Sequence, residues 1–267
     1  MRDKLLVRPG DPSRLSERDP GDRLGLKDKN SAAVAVADLL DELRLLQNRL
    51  WAESSRSLLV VLQGMDACGK DGTVRRVLSG VNPQGCRVTS FKVPCEHERA
   101  HDYLWRIHAA CPARGEIGIF NRSHYEDVVT THVLGLVDDA TRSRRFAHVR
   151  EFEGMLHDEG MTIVKVFLQV SKAEQRKRLQ ARLDDPEKRW KFRLDDLATR
   201  SRWDDYQREY EEAIDATSTA WAPWHVVPGD HKWVRDVAVS SLLAHALREM
   251  DPRPPDPAED LEGIVVE

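Results

Sequence analysis

Long apolar runs are missing from this chain. No stretch approaches the roughly 18 consecutive apolar residues that a membrane-spanning helix requires. The N-terminus, Met-Arg-Asp-Lys-Leu-Leu-Val-Arg-Pro, has neither a long apolar core nor a small-residue cleavage site, so no secretory signal is expected. These absences argue against a membrane partner and predict a cytoplasmic protein.

Paired cysteines are absent as well. No two of the four cysteines form a C-x-x-C pair, which argues against a zinc site and against a disulfide framework. Reduced cytosolic thiols are expected at Cys68, Cys86, Cys95 and Cys111.

The chain also lacks a net positive charge. It has 41 Lys and Arg residues against 45 Asp and Glu residues, a formal net charge of −4. This balance argues against a general nucleic-acid-binding protein, because such proteins need a cationic surface. The length of 267 residues is enough for one or two domains with a sizeable core.

Apolar runs and helical patterns alternate along the chain. Because strands that alternate with helices form βαβ units, the sequence predicts an α/β fold with a parallel five-stranded sheet flanked by helices. Ligands of such sheets bind at the carboxyl ends of the strands. The predicted strands cover 58–62, 87–93, 116–120, 162–170 and 224–227, and the predicted helices cover 31–56, 70–80, 96–110, 123–134, 140–158, 171–184, 203–217 and 232–249.

The two ends of the chain differ in composition from its middle. Residues 1–30 are charged and rich in Pro and Gly, which predicts an extended N-terminal arm. Residues 251–267 begin with Asp-Pro-Arg-Pro-Pro-Asp-Pro, a poor core-building sequence that predicts a flexible C-terminal tail. Residues 31–250 are interpreted as one domain, with Ser31 as the expected N-cap of its first helix.

The first predicted strand leads directly into a glycine-rich loop. Residues 64–72 read Gly-Met-Asp-Ala-Cys-Gly-Lys-Asp-Gly and fit the G-x-x-x-x-G-K spacing of a phosphate-binding loop between a strand and a helix. Gly64 and Gly69 allow backbone N–H groups to turn toward phosphate oxygens, and Lys70 adds its charge to that of the helix N-terminus. A glycine-rich turn before an ordinary helix is the simpler alternative.

Two acidic residues distinguish this loop from the usual pattern. Asp71 stands where a Ser or Thr normally ligates magnesium, and Asp66 adds a carboxylate inside the loop. The loop is therefore predicted to bind phosphate and a metal ion, with the metal held differently from the usual case.

A second cluster of polar side chains follows the third predicted strand. Phe120 is followed by Asn-Arg-Ser-His-Tyr-Glu-Asp, which ends at Asp127. Asn121 stands where phosphate-binding loop enzymes usually present an acid to magnesium, and Arg122 is suited to neutralising a transferring phosphoryl group. Glu126 and Asp127 have a simpler alternative role, because acids in a first helical turn interact favourably with the helix dipole.

A cationic segment at residues 176–193 stands out in an otherwise acidic chain. It contains eight Lys or Arg residues and three Asp or Glu residues, so its formal charge is +5. A solvated helix face is the ordinary explanation. However, Pro186 breaks the helix, and Lys188 and Arg189 follow it. This arrangement predicts a mobile lid at about residues 184–205 that carries cations to a polyanionic ligand and excludes water.

Three motifs together resemble the polyphosphate kinase 2 family. They are the loop at 64–72, the segment 120–127 and Pro-Glu-Lys-Arg-Trp-Lys-Phe at 186–192, and the similarity covers nearly the whole chain. The Asn-Arg-Ser-His-Tyr-Glu-Asp form is similar to the class III branch, whose members phosphorylate both AMP and ADP. The resemblance implies a P-loop kinase domain with a helical lid and a reversible phosphoryl transfer from inorganic polyphosphate to AMP, ADP or both.

The resemblance also implies partners and residue roles. Magnesium is the implied cofactor, adenine nucleotides are the implied acceptors with guanine nucleotides left open, and a homo-oligomer is expected. Asp66, Lys70 and Arg122 are the implied catalytic residues, and Asp66 is the implied metal ligand. The implied donor-phosphate residues are Gly64, Met65, Ala67, Cys68, Gly69, Lys70, Asp71, Gly72, Arg182, Lys188 and Arg189. The implied acceptor-nucleotide residues are Phe91, Asn121, Arg122, Glu126 and Asp127.

Two other functions fit the same residues. An ATP-dependent nucleoside monophosphate kinase would share the fold, the loop and the lid, and only its donor would differ. A regulatory protein with a phosphate-binding loop would bind nucleotide without turnover, but it would not need Arg122 or a cationic lid.

Overall fold

Six strands form the central sheet in the part of the chain that the structure describes. This structure, a computed structural model, describes residues 1–257, 259 and 266. The strands are β1 (Leu6–Val7), β2 (Ser57–Gln63), β3 (Cys86–Ser90), β4 (Ile117–Asn121), β5 (Met161–Gln169) and β6 (Trp224–Pro228). Their order across the sheet is β1-β6-β5-β2-β4-β3, and all neighbours are parallel except β1 and β6.

Helices connect the strands and flank the sheet. They are α1 (Arg2–Leu5), α2 (Lys29–Glu53), α3 (Lys70–Val77), α4 (Glu96–Arg99), α5 (Trp105–Ala110), α6 (Val129–Val133), α7 (Asp139–Asp158), α8 (Lys172–Asp184), α9 (Leu194–Ser201), α10 (Trp203–Thr217) and α11 (Lys232–Met250). This α/β architecture confirms the predicted fold class.

The central strand β2 is buried along its whole length. Its sequence, Ser-Leu-Leu-Val-Val-Leu-Gln, is a near-continuous apolar run, which is typical of a parallel strand covered on both faces. Val60 pairs in register with Ile119 of β4 and with Val164 of β5. The carboxyl end of β2, where the glycine-rich loop begins, therefore lies between the ends of these two neighbours.

The prediction of five parallel strands is wrong by one edge strand. β1 pairs antiparallel with β6, with Leu6 opposite His225 and Val7 opposite Trp224. Two residues are too few for a period-2 pattern, so the sequence carries no signal for this strand. It forms because the rest of the fold offers partners, including Ser218 Oγ, which donates to the Val7 carbonyl at 2.6 Å.

Several helices differ from their predicted boundaries. The predicted helix 123–134 is a 3₁₀ turn at His124–Asp127 followed by α6, and the predicted helix 70–80 ends at Val77. Two further differences have a visible local cause. The predicted helix 96–110 is divided into α4 and α5, and between them Asp102 Oδ1 accepts from Leu104 N at 2.9 Å in a local turn. The N-cap of α2 is Asp28, whose Oδ1 accepts from Ser31 N at 2.8 Å. Ser31 Oγ accepts in return from Asp28 N at 3.2 Å, so Ser31 completes a capping box and is not the N-cap.

The described residues that follow α11 have no regular secondary structure. Residues 251–257 form no helix or strand, and eight of the 17 residues of the predicted flexible tail at 251–267 lie outside the described residues. The division into arm, domain and tail stays a prediction. None of the helices in the described part of the chain combines the length and the apolar character needed to cross a membrane.

Candidate active site

The glycine-rich loop connects β2 to α3, as its spacing predicts. Three of its residues have a left-handed backbone, with φ of 141° at Gly64, 61° at Ala67 and 113° at Gly69. A Cβ atom at position 64 would lie 2.6 Å from the carbonyl oxygen of Leu168, and one at position 69 would overlap the guanidinium of Arg235. Both glycines are therefore required by the backbone conformation and by the close approach of neighbouring chain.

Lys70 begins α3 and turns its side chain back over the loop. The residue is buried, and Nζ donates to the carbonyl oxygens of Gly64 at 2.6 Å and Met65 at 3.4 Å. The Sγ atom of Cys68, itself buried, lies 3.6 Å from the same Nζ. The ammonium group therefore lies inside the loop, where phosphate oxygens would compete with these carbonyls for it.

An arginine of α8, which no sequence motif indicated, supports the loop from outside. Arg178 donates to the carbonyl oxygens of Ala67 at 3.2 Å and Cys68 at 2.8 Å. Its guanidinium also donates to the Gly229 carbonyl at 2.6 Å and, through Nε, to Glu174 at 2.9 Å. Arg178 therefore joins the loop after β2 to the chain that follows β5 and β6.

Arg122 follows β4 and reaches across the end of the sheet to the loop. Its φ is 65°, a left-handed conformation that is uncommon for a non-glycine residue and is concentrated at functional sites. Nη2 donates to Asp66 Oδ1 at 2.5 Å, and Nη1 lies 3.6 Å from Glu126 Oε2. The carboxylates of Glu126 and Asp66 raise the pKa of Arg122 above its usual value. One permanently charged cation thus lies between two acids.

Two neutral side chains orient Glu126. Thr130 Oγ1 donates to Glu126 Oε2 at 2.9 Å. The amide of Gln63 lies between Glu126 and Ser123, and in the orientation that satisfies both it donates to Glu126 Oε1 at 3.1 Å and accepts from Ser123 N at 3.1 Å. Gln63 was not predicted as a site residue. Its position could have indicated it, because it is a polar residue at the carboxyl end of an apolar central strand.

Asn121 and Asp71 stand at the two positions where phosphate-binding loop enzymes usually hold magnesium, and their side chains contact each other. Asn121 Nδ2 donates to Asp71 Oδ1 at 2.8 Å. An amide therefore stands at the end of β4 where an acid is usual, and an acid stands at the start of α3 where a hydroxyl is usual. The carboxylate beside the end of β4 is therefore that of Asp71, which belongs to the loop and the start of α3.

Of the remaining acceptor candidates, Phe91 lines an open groove beside β3, and Asp127 contacts an arginine of that groove. Phe91 packs edge-to-face on Phe120, with 4.9 Å between the ring centroids, and Arg106 lies over the Phe91 ring at 5.5 Å. Arg106 donates to Asp127 Oδ2 at 3.0 Å and to the Lys92 carbonyl at 2.8 Å. Phe91 and Arg106 line this groove, whose volume is about 370 Å³. Asp127 is thus paired within the fold with Arg106.

The middle of the same motif points away from the site into the core. Tyr125 OH donates to Glu153 Oε1 at 3.0 Å, and His124 Nε2 lies 3.2 Å from the same oxygen. Lys165 of β5 donates to Glu153 Oε2 at 2.6 Å, and all four side chains are buried. This buried network anchors the turn that carries Arg122 and Glu126.

The segment at residues 184–205 contains a 3₁₀ turn at Arg189–Lys191 and the helix α9. Asp196 of α9 is buried and accepts from Arg182 Nη1 at 3.3 Å. Burial and the neighbouring Asp66 carboxylate raise the pKa of Asp196. The Asp196 carboxylate is therefore close enough to Asp66 for the two charges to interact. No sequence pattern indicated Asp196, because acids in the first turn of a helix are common.

The two predicted cations of the 184–205 segment contact the segment itself. Lys188 pairs with Asp185, and Arg189 Nε donates to the Leu183 carbonyl at 2.8 Å. Within the described residues, neither side chain forms a hydrogen bond or an ion pair with the loop. Arg182 thus contacts Asp196 of the segment, and within the described residues it too forms no hydrogen bond or ion pair with the loop. The roles predicted for Arg182, Lys188 and Arg189 stay predictions.

Cations and carboxylates meet at the carboxyl end of the sheet. Lys70 lies within the loop after β2, and Arg122 faces the loop from the end of β4 through Asp66. Preorganised charges of this kind bind phosphate groups and stabilise a phosphoryl group during transfer. The arrangement therefore suits phosphoryl transfer and needs no covalent intermediate.

The family of this chain is known from its similarity to a family of proteins. The sequence matches the family model described as Polyphosphate kinase 2 (PPK2) over residues 26–255. The chain belongs to the polyphosphate kinase 2 family. The matched range contains the loop, the motif after β4 and the 184–205 segment, so the family resemblance drawn from these three motifs is confirmed.

Polyphosphate kinase 2 relatives cover almost the whole chain. A *Meiothermus ruber* protein named AMP/ADP-polyphosphate phosphotransferase is 51% identical over 265 residues, which is 99% of each chain. A *Rhodopseudomonas palustris* protein named ADP-polyphosphate phosphotransferase is 44% identical over 223 residues, 79% of this chain and 77% of the relative. The crystal structure of Polyphosphate Kinase 2 from *Arthrobacter aurescens* TC1 has a TM-score of 0.93 at 43% identity and covers 97% of this chain and 93% of its own.

Proposed function

We propose that this protein transfers a phosphoryl group from inorganic polyphosphate to AMP, ADP or both, in a reversible reaction. The observation that carries the proposal is the Lys70 ammonium inside the loop, with Arg122 facing the same loop across the end of the sheet. The printed names of the *Meiothermus ruber* and *Rhodopseudomonas palustris* relatives support polyphosphate and adenine nucleotides as the two substrates. Transfer breaks one phosphoanhydride bond of polyphosphate and forms one in ADP or ATP, so neither direction needs an additional energy source.

The donor is proposed to bind in the glycine-rich loop. Backbone N–H groups of residues 64–72 and the ammonium of Lys70 would hold its terminal phosphates. The helix that begins at Lys70 adds the partial charge of its N-terminus. Donor binding would draw Lys70 Nζ from the carbonyls of Gly64 and Met65 onto phosphate oxygens, which are stronger acceptors.

The acceptor is proposed to bind on the β4 side of the loop. Arg122 would exchange Asp66 and Glu126 for oxygens of the donor and acceptor phosphates, and it would neutralise charge that develops during transfer. The groove lined by Phe91 and Arg106 would take the nucleoside, because an aromatic wall and a cation suit a base and its phosphate. Asn121 and Asp127 would line the same side.

Magnesium is proposed as the cofactor, and the donor set of the site fits it. Within the described residues no group of three or more His, Cys, Asp or Glu side chains could hold a metal by itself. Magnesium is usually bound through one or two carboxylates together with substrate phosphates, and the Asp66 carboxylate in the loop meets that need. When bound, magnesium supplies charge neutralisation on the phosphate oxygens. Asp66 would then leave Arg122 for the metal.

The 184–205 segment is proposed to act as a lid. Asp196 accepts from Arg182, Lys188 pairs with Asp185, and Arg189 donates to the Leu183 carbonyl. Movement of the segment after Pro186 would bring Lys188 and Arg189 onto the donor and exclude water. The cytoplasmic location and the homo-oligomeric assembly expected from the sequence stay predictions.

The proposed donor is tested by a direct comparison of two phosphoryl donors. Purified protein with magnesium is incubated with AMP and either long-chain polyphosphate or ATP. ADP is incubated with long-chain polyphosphate alone, because transfer from ATP to ADP gives no net change. The nucleotides are resolved by chromatography. We expect ADP and ATP to form with polyphosphate at a rate well above that with ATP as donor. Turnover with ATP and AMP but not with polyphosphate would instead identify a nucleoside monophosphate kinase, and tight binding without transfer would identify a regulatory protein.

Glu126 is predicted to influence the choice between AMP and ADP. ADP has one more charged phosphate than AMP, so the two acceptors differ near the Arg122–Glu126 pair. Glu126→Gln keeps the shape but removes the negative charge, and we expect the ratio of kcat/KM values for the two acceptors to change about fivefold, the size of one charge interaction. Asp38→Asn, an exposed charge change on α2, is the matched control. Equal losses on both acceptors would mean that Glu126 only supports Arg122.

A further inference from the structure

Helix α8 holds three successive carbonyl groups of the glycine-rich loop from outside. Gln175 Nε2 donates to the Asp66 carbonyl at 2.9 Å. Arg178, on the same helix, donates to the carbonyls of Ala67 at 3.2 Å and Cys68 at 2.8 Å. Because a trans peptide group is planar, its N–H points to the side opposite its C=O. Each contact that holds a loop carbonyl toward α8 therefore turns the N–H of the same peptide away from α8.

The peptide between Asp66 and Ala67 lies in the middle of a tight turn. Cys68 N donates to the Met65 carbonyl at 3.1 Å, and Ala67 has a left-handed backbone with φ of 61°. Glycine is the usual residue at such a position, because a Cβ atom makes the left-handed conformation less favourable. Within the described residues, the Ala67 N–H donates to no protein acceptor, so it is available to a ligand of the loop.

Gln175 meets the chemical requirements of its position at both ends of its amide. The side chain is fully buried, and Oε1 accepts from Arg200 Nη1 at 2.9 Å while Nε2 donates to the Asp66 carbonyl. A guanidinium only donates and a carbonyl only accepts, so a single orientation of the amide satisfies both partners. Arg200 thereby fixes the orientation in which Gln175 donates to the loop.

Arg200 connects this amide to the 184–205 segment. It lies in α9 and also donates to the Lys172 carbonyl, at the start of α8, at 2.7 Å. A path of hydrogen bonds thus runs from the segment through Gln175 to the backbone of Asp66. The carboxylate of Asp66 in turn accepts from Arg122 at 2.5 Å. The position of the segment is therefore linked to the conformation of the loop by contacts of the protein alone.

We infer that Gln175 is a positioning residue, which holds the Asp66–Ala67 peptide in the orientation that presents its N–H to the donor, and that Arg200 fixes Gln175 in place. The inference rests on the proposed donor site in the loop. Docking of the 184–205 segment and binding of the donor then favour each other, because both stabilise the same orientation of this peptide. When Arg200 moves away with the segment, the Gln175 amide is free to rotate and the loop peptide loses its support.

The test separates the two contacts of Gln175. Gln175→Met has a similar length and makes neither hydrogen bond, whereas the carboxylate of Gln175→Glu accepts from Arg200 but cannot donate to the Asp66 carbonyl. We expect KM for polyphosphate to rise about tenfold in both variants, the effect of one buried hydrogen bond left unmade, and KM for AMP to change by less than about twofold. A smaller fraction of folded protein would lower kcat and leave both KM values unchanged.

A double-mutant cycle tests the part played by Arg200. We expect Arg200→Ala to raise KM for polyphosphate about threefold in wild type and to have no further effect on it in Gln175→Met, because the two residues act through one contact. Gln180→Met, at an exposed position of α8, and Arg44→Ala, at an exposed position of α2, are the matched controls. A wild-type KM for polyphosphate in both Gln175 variants, or equal increases for donor and acceptor, would overturn the inference. Additive effects would overturn the role of Arg200.

Hydrogen–deuterium exchange gives a readout that does not depend on turnover. We expect the amides of residues 64–72 to exchange faster in Arg200→Ala than in wild type or Arg44→Ala, because the loop has lost its support. Unchanged exchange would overturn the inference. Arg200 is only half-buried, so this variant keeps the test decisive if the Gln175 variants do not fold. If wild type does not turn over polyphosphate, the proposed function fails, and the exchange rates still decide whether Arg200 and Gln175 hold the loop.

Discussion

Lys70→Ala is expected to lower kcat by about 10²–10³-fold with polyphosphate as donor. The Lys70 ammonium lies inside the loop, 2.6 Å from the Gly64 carbonyl, and it is only 8 % exposed. A preorganised charge in a site that excludes water stabilises a transferring phosphoryl group more strongly than a solvated charge does. Steady-state rates with AMP and ADP as acceptors, at saturating polyphosphate, provide the measurement.

A structural effect of this substitution must be separated from a catalytic one. Lys70 Nζ also binds loop carbonyls, so its removal could disturb the loop. Circular dichroism and the urea midpoint of the variant should therefore match those of wild type. Lys177→Ala, which removes an 81 % exposed lysine of α8, is the charge-matched control and should keep its activity. A folded Lys70→Ala protein with more than half of wild-type activity would exclude the proposed role.

Lys165→Met is expected to reduce the free energy of unfolding by about 3–5 kcal/mol. The substitution leaves the Glu153 carboxylate buried without the ammonium that lies 2.6 Å away in wild type. Burial lowers the pKa of Lys165. Burial also acts to raise the pKa of Glu153, but the charge of Lys165 and the contact with His124 outweigh it, and the pKa of Glu153 is lowered. Urea denaturation at pH 8 measures the loss.

A double variant shows whether the unpaired charge causes this loss. Lys165→Met combined with Glu153→Leu removes both charges, and we expect it to recover most of the stability, because apolar side chains of similar volume replace buried ion pairs well. In Lys165→Met alone, burial raises the pKa of Glu153 above that of the unfolded chain. The destabilisation should therefore shrink as the pH falls from 8 to 5. A loss that is independent of pH and persists in the double variant would contradict this account.

Local sequence predicts the loop and most of the sheet well. The spacing of Gly64, Gly69 and Lys70 specifies a strand, a tight turn and a helix over nine consecutive residues, and no distant contact is needed to recognise it. The strands 57–63 and 161–169 are long apolar runs, so their burial can be inferred from composition alone. The helix at 203–217 is predicted with its observed bounds, since its apolar residues recur at helical spacing.

Other features are set by contacts between distant parts of the chain. The edge strand at residues 6–7 has no pattern of its own and forms against β6. Gln63 and Asp196 look like an ordinary strand end and an ordinary helix acid until the fold places them beside Glu126 and Asp66. The division of 96–110 into two helices depends on a side-chain turn at Asp102.

Short-range patterns are sufficient to predict the α/β class, the phosphate-binding loop, the motif after the third predicted strand and the family, because each depends on residues that are close in sequence. The side of each motif that faces the site depends instead on the three-dimensional fold. Arg122 and Glu126 meet the loop, whereas His124 and Tyr125 of the same motif enter a buried ion network. It also placed Arg178 of α8 against the loop, where it donates to the carbonyls of Ala67 and Cys68. The order of parallel strands brings such distant residues to one edge of the sheet, and short-range patterns contain no information about that order.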